Sequence, residues 1–403
     1  MPDTVSLRHV TLEGPRYEFP IKTMIPGFRK EHPNVGVKVD GRPYELVQWG
    51  EELKKRTSPY DVVSLASELT AAYAEPKLIL PLDDYIQDEE IGIKEADDYN
   101  PINWEIYKYK STDGTERTYG IPTDVNATIM YYRKDLLKEH SFRNPPKTWD
   151  EVAEFSKLTN DRPRMHGFLT QLTDWYSGNF FVNLLWDFGG DIFDRRTWEL
   201  TCNSEEALRT LNFVKQMHTN YGVPGELNFN RFAFNDYLAS KGVCAIAPCM
   251  YGNGVPQNPS MSKYAALIGT GLSPAGPGGR YSMMAGVGCV ITPRSRHPRE
   301  AFMWIEYQQR KELMRKFVEE TGQPGRESAL SDPQMQKLPN ARHFQTLSDT
   351  FKDKGARTKW NLPEEYEVEQ AIGEEVFSVL VGKQLAKQAL ESLENRLSSI
   401  VEN

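Results

Sequence analysis

No stretch of this 403-residue sequence holds the roughly 20 consecutive apolar residues that a membrane-spanning helix needs. The longest apolar run, around 243–247, has the length of a buried strand. Cysteine is scarce: Cys202, Cys244, Cys249 and Cys289 form neither a CxxC redox pair nor a metal-ligand spacing. Cys244 and Cys289 lie inside strand-like runs, where thiols pack as small hydrophobes. The seven histidines include no pair at the i, i+4 spacing of a zinc-binding helix. A phosphate-cradling loop, a GxGxxG turn opening a helix and a GxSxG elbow are all missing. These absences argue against nucleotide, metal and serine-nucleophile chemistry and predict neither cofactor nor catalytic residue. A net charge of -8 with no positive block argues equally against nucleic acid or an anionic membrane as partner.

What is present is the composition of a soluble globular protein, 39% hydrophobic and 26% charged. The chain is too long for one core and about right for two. Met1 to Thr4 lead into a strand-like run without the charged, apolar and cleavage segments of a secretory leader. Either the protein is cytoplasmic, or a leader has been removed. Strand and helix signals alternate through the first hundred residues: strands at 5–12, 35–39 and 61–65, and helices at 21–28, 46–56 and from 67. Pro26 inside the first helical pattern predicts a kink or break there. The rhythm implies parallel strands covered by helices, with ligands beyond the strands' carboxyl ends. Further strands are expected at 166–170, 242–248, 264–271 and 286–293. Helices are expected at 175–188, 205–221, 300–321 and through the tail, 362–401. Gly and Pro beside extended apolar sequence at 119–126 and 285–291 mark two crossings between lobes.

At this point the sequence resembles the extracellular solute-binding proteins of sugar ABC importers, the group that includes maltose-binding protein. The resemblance spans nearly the whole chain. It is carried by Tyr119-Gly120-Ile121-Pro122, by Met130-Tyr131-Tyr132-Arg133-Lys134-Asp135-Leu136-Leu137, and by Pro145-Pro146-Lys147-Thr148-Trp149-Asp150-Glu151. Phe28-Arg29-Lys30-Glu31-His32-Pro33, Leu80-Pro81-Leu82-Asp83-Asp84, Gly189-Gly190-Asp191-Ile192-Phe193 and Gly382-Lys383-Gln384 add to it. The order and spacing of these pieces carry the specificity. Thr148 and Glu151 also have a local reading, as cap and capping box of a helix starting at Trp149. The resemblance implies a two-lobed α/β fold of the periplasmic-binding-protein type II, hinged between lobes. One lobe would comprise residues 1–123 and 288–325, the other 124–287 and 326–403. It further implies binding of a sugar, oligosaccharide or polyol in the interlobe cleft by hinge closure. The protein would be monomeric, periplasmic or membrane-associated outside the cell, and would deliver its ligand to the permease subunits of an importer. A two-domain carbohydrate-active enzyme and a ligand-sensing partner of a membrane receptor are the alternatives.

Sugars demand bidentate partners for their hydroxyls and aromatic faces for their rings. In the first lobe Glu13, Arg16 and Tyr17 follow the first strand, and Glu68 follows the third, both at carboxyl ends. Asp124, Asn126 and Gly286 sit on the crossings, and Arg326 lies near a third. In the second lobe Asp174 stands beside Trp175 and Tyr176 at a strand-to-helix turn, a hydroxyl acceptor next to a stacking platform. Tyr251 follows another strand, and Trp360 offers a further ring from the tail. Each has a bland counterpart: helix capping for Asp174, dipole compensation for Glu68, a solvated charge for Arg16, hinge hydrogen bonding for Asp124 and Asn126, turn packing for Tyr251.

Overall fold

A computed structural model describes residues 5–14, 16–43, 53–55, 57–229, 231–242, 244–249, 252–319 and 322–401. The expected helix at 46–56 lies largely outside them. Two compact units divide the chain. The first comprises residues 1–125, 285–336 and 361–365, and the second residues 126–284, 337–360 and 366–403. The chain passes from one to the other within the strands Ile121–Ala127 and Ser282–Ile291.

In the first unit, Val5–Leu12 runs parallel to Val35–Arg42 on one side and Val62–Ala66 on the other. The parallel arrangement stops there: Ser282–Ile291 lies antiparallel to Val62–Ala66, with Val287 opposite Ala66 and Ile291 opposite Val62. The sheet is therefore mixed, because Ser282–Ile291 is reached by a long excursion through the other unit and not by a local βαβ turn. The helix Glu18–Glu31 buries Ile21, Met24 and Phe28 at the predicted spacing and continues through Pro26. Pro26 and Lys22, whose carbonyl the proline ring opposes, both face solvent, so water can take the freed carbonyl and the helix does not break. Phe28 packs edge-on against Trp304 and Tyr307, with ring centroids 5.0 and 5.4 Å apart. Gly27 makes this approach feasible: a Cβ there would lie 2.1 Å from the Tyr307 hydroxyl oxygen.

His9 sits fully buried in the same core. Trp304 Nε1 donates to its Nδ1 at 3.1 Å, so the proton rests on Nε2, which faces Ser64 Oγ at 2.8 Å. Burial holds the imidazole neutral and lowers its pKa to about 3.

The second unit has the sheet order Ile268–Leu272, Ile129–Arg133, Cys244–Cys249, His166–Phe168. Ile129–Arg133 is antiparallel to both its neighbours, whereas His166–Phe168 is parallel to Cys244–Cys249. The helix Trp149–Thr159 starts as its sequence predicts: Thr148 Oγ1 accepts the Glu151 N–H at 3.2 Å. Glu151 reaches one residue further back than a capping box requires, to the Lys147 N–H at 2.5 Å. The Trp149 indole is core and donates to buried Asp187 at 2.9 Å. Glu205–Tyr221 forms at its expected bounds. Other spans differ. Residues 264–267 form a turn closed by Leu267 N–H to Tyr264, so the strand begins at Ile268. The run 300–321 breaks into Pro298–Gln308 and Lys311–Glu319. The tail breaks into Glu365–Leu380 and Ala386–Val401, with Gly382 at φ +78° between them. All four cysteines are buried thiols.

Candidate functional site

In the first unit, the strands Val5–Leu12 and Val62–Ala66 run parallel, so the loops that follow them leave the same sheet edge. This edge carries most of the first-lobe candidates. Glu13 is exposed there, and its N–H is given to the Arg42 carbonyl at 2.9 Å. Arg16 holds Asp124 in a two-pronged pair, Nε to Oδ2 at 2.7 Å and Nη2 to Oδ1 at 2.9 Å. Asp124 is wholly buried, and its Oδ1 also receives the Gln323 N–H at 3.1 Å. Tyr17 is buried, with the Arg16 guanidinium 5.6 Å above its ring. A second chain of bonds runs from the Gly286 N–H to Ser67 Oγ at 3.0 Å, and from Ser67 Oγ to buried Glu68 at 3.2 Å. Position 286 tolerates only glycine, since a Cβ would stand 2.5 Å from the Asp124 carbonyl oxygen.

Arg326 lies apart from these groups. It is 3% exposed and stacks over Tyr99 at 4.9 Å. Its guanidinium gives hydrogen bonds to the carbonyls of Gln309, Glu95 and Lys94 and to Asp98. These partners make it a strut joining the segments 94–98 and 309 of its own unit.

In the second unit, the carboxyl ends of His166–Phe168 and Cys244–Cys249 share an edge. Ile129 pairs with Cys249, which brings the start of the antiparallel neighbour, and Thr128 before it, to that same edge. Asn126 is buried on the incoming strand. Asp174 opens the helix Asp174–Asp187, and its side chain lies outside the described residues, as does Tyr251. Trp175 and Tyr176 meet edge to face with centroids 4.9 Å apart. Beneath them Lys359 is buried, ion-paired with Glu369, bonded to Asn179 Oδ1 at 3.1 Å and 5.9 Å from the Trp175 ring centroid. Trp360 is 4% exposed; its indole N–H goes to Asp191 at 3.0 Å and its ring packs on Phe193. These contacts account for Trp360 as packing.

A recess of about 250 Å³, open mouth included, lies along this edge. Thr128, Thr170, Gln171, Tyr176, Asn179, Phe180 and Asn183 line it. Only Tyr176 was among the residues singled out in the sequence. Gln171 stands in the same strand-to-helix loop as Asp174, so the carboxyl-end rule applied across that whole loop would have included it. Thr128 carries no such signal. No lining residue is charged, and the set combines amides, hydroxyls and two aromatic rings, the chemistry of a neutral hydroxylated ligand. Among the described residues no group of three His, Cys, Asp or Glu is placed to hold a metal, and no helix is long and apolar enough to cross a membrane.

Comparison with known proteins gives a consistent result. Residues 15–314 match the model of the family described as bacterial extracellular solute-binding protein. The chain is 26% identical over 298 residues to the "Probable ABC transporter-binding protein" of Deinococcus radiodurans, covering 70% of this chain and 68% of that one. It is 24% identical over 306 residues to the maltodextrin-binding protein MdxE of Bacillus subtilis, covering 71% and 67%. The solved structure of an ABC transporter solute-binding protein from Agrobacterium radiobacter, in complex with ribitol, superimposes with a TM-score of 0.84 at 20% identity over 98% of both chains. At that identity the likeness establishes the α/β solute-binding fold.

Proposed function

Because the chain belongs to the family of bacterial extracellular solute-binding proteins, we propose that it is the substrate-binding component of an ABC importer and that its substrate is a neutral sugar, oligosaccharide or polyol. The observation that carries the ligand class is the uncharged recess of the second unit, where amides and hydroxyls stand beside Tyr176 and Phe180. An anionic ligand would find no Lys or Arg among its lining residues, and a cationic ligand no carboxylate. The relatives agree in kind, one being named for maltodextrin and one holding ribitol. In this reading the protein works outside the cytoplasm as a monomer. It binds its ligand without altering a covalent bond and presents it to the permease subunits. The candidate residues divide into the Arg16–Asp124 and Ser67–Glu68–Gly286 networks of the first unit and the Trp175–Tyr176 edge of the second.

Calorimetric titration with ribitol, D-mannitol, maltose and maltotriose tests this, with glutamate and glucuronate as charged controls. One-to-one binding of a neutral member is the expected result. Binding of a charged control alone would overturn the ligand class, and accumulation of product on prolonged incubation would make the carbohydrate-active enzyme the better account.

A further inference from the structure

The polar groups lining the recess are not equivalent. Asn183 is committed on both sides: its Oδ1 accepts the Met283 N–H at 2.8 Å and its Nδ2 donates to Asp187 and to the Tyr281 carbonyl. Thr170 Oγ1 donates to the Pro248 carbonyl at 2.6 Å. Asn179 is held by Lys359 and by the Trp175 carbonyl. Two groups stand out against this. Thr128 Oγ1 and Gln171 Nε2 are buried, in residues 2% and 3% exposed, and have no hydrogen-bond partner among the described residues. Both residues line the recess. A buried donor or acceptor without a partner costs about 1–3 kcal/mol, and native interiors pair more than nine in ten such groups. Two of them facing one recess, while its remaining amides and Thr170 are paired internally, is the pattern of a site that a ligand completes.

We infer that Thr128 and Gln171 form a subsite that reads a single hydroxyl group of the bound solute and so helps to set specificity. The inference rests on the reading of the ligand as a neutral hydroxylated molecule and goes beyond it by naming the group recognised and the residues that recognise it. An amide Nε2 only donates, whereas a threonine hydroxyl both donates and accepts. A ligand hydroxyl matches the two together: its oxygen accepts from Gln171 while its hydrogen goes to Thr128. The recess leaves room for about one water-sized group between its walls, which suits a hydroxyl or the end of a hydroxymethyl arm. Phe180 supplies the apolar wall against which the carbon of such an arm would lie. The Thr128 backbone is anchored directly, and that of Gln171 through its neighbour. The Thr128 N–H is given to the Met283 carbonyl at 3.1 Å, and Gln171 follows Thr170, whose side chain is tied to the neighbouring strand. The backbone beneath the two groups is therefore set before a ligand arrives, which lowers the ordering cost of binding.

The experiment uses matched probes that differ by one hydroxyl: D-mannitol with 1-deoxy-D-mannitol, and maltose with 6′-deoxymaltose. The full-length protein should bind the hydroxylated member of at least one pair about tenfold or more tightly, the discrimination expected when a deoxy analogue leaves buried polar groups unpaired. Thr128→Val and Gln171→Met keep side-chain size and remove the hydrogen bonds. Each should lower affinity for the hydroxylated probe, leave the deoxy probe nearly unchanged, and shrink the ratio towards one. The parent protein alone decides the first point, so a variant that misfolds, seen as a collapsed melting transition, does not protect the inference. Binding of both members with equal affinity overturns the subsite and leaves the proposed function standing, and so does an undiminished ratio in both folded variants. Failure of all four probes to bind, while a charged solute does, overturns the proposed ligand class and the subsite with it.

Discussion

The Arg16–Asp124 pair allows its contribution to be worked out from geometry. Asp124 has 0% side-chain exposure and Arg16 has 12%, so neither charge can fall back on bulk water if the other is removed. In Asp124→Ala the guanidinium loses the two charge-assisted bonds it makes to Asp124, and the buried Gln323 N–H loses that acceptor. Breaking a buried pair in this way costs about 3–5 kcal/mol, most of it the desolvation of the charge left behind. For a unit of this size each kcal/mol moves the midpoint by about 2–4 °C, so the transition of the first unit should fall by roughly 6–20 °C. The double variant Arg16→Met, Asp124→Leu removes both charges together. What remains is the loss of the Asp124 acceptor by the Gln323 N–H, about 1–3 kcal/mol, so the double variant should be more stable than the single one. Calorimetric melting of the parent, both single variants and the double variant closes the cycle. A loss below about 1 kcal/mol in Asp124→Ala would show that the pair is hydrated and not buried. A double variant as unstable as the sum of the singles would refute coupling between the two residues. Titrating the same proteins with a binding solute separates the roles: if the double variant melts well but no longer binds, the pair touches the ligand as well as ordering its unit.

Three further outcomes follow from the structure. Trp175→Ala removes the half-buried partner of the Tyr176 ring and should weaken solute binding several-fold, a stacked aromatic contributing about 0.5–1.5 kcal/mol beyond its buried area; calorimetry showing parental affinity would remove Trp175 from the site. His9 has a folded-state pKa near 3 against an ordinary value of 6.5, so the unfolded chain binds the extra proton; stability from this group is complete above about pH 6.5 and drains away as pH falls towards 3, at up to about 1.4 kcal/mol per pH unit. His9→Gln can keep the bonds to Trp304 and Ser64 without titrating, and should flatten denaturant-derived stability between pH 6 and 4; an unchanged slope would assign the acid sensitivity elsewhere. Gly27→Ala gains helix propensity but drives a Cβ into the Tyr307 hydroxyl, for a net loss of about 1–2 kcal/mol; Tyr307→Phe should recover part of it, and a stabilised single variant would show that the helices separate freely.

The sequence is legible where local physics decides. The cap at Thr148 and the full span Glu205–Tyr221 formed as their residues predict, because a cap and an amphipathic stripe are satisfied within a few residues. The carboxyl-end rule likewise points from the strand pattern to the segments after the strands, which carry Arg16, Glu68 and Tyr176. Other outcomes depended on packing partners distant in sequence. Pro26 stays inside a helix because its face is solvent-exposed, and that exposure is set by what Ile21, Met24 and Phe28 pack against. The run 286–293 reads as an ordinary buried strand, and nothing in its residues says that the strand, Ser282–Ile291 in the structure, enters the sheet antiparallel. Arg326 and Trp360 have the side chains of ligand contacts, yet acceptors contributed by residues 94–98 and by Asp191 engage them within their own units. Thr128 and Gln171 are the reverse case: ordinary polar residues in the sequence, distinguished only because the groups around them find partners while Thr128 Oγ1 and Gln171 Nε2 have none among the described residues. Whether a polar group is satisfied depends on three-dimensional neighbours, so residue type and spacing could indicate which segments stand at the strands' carboxyl ends, while the fold alone decided which side chains there find partners.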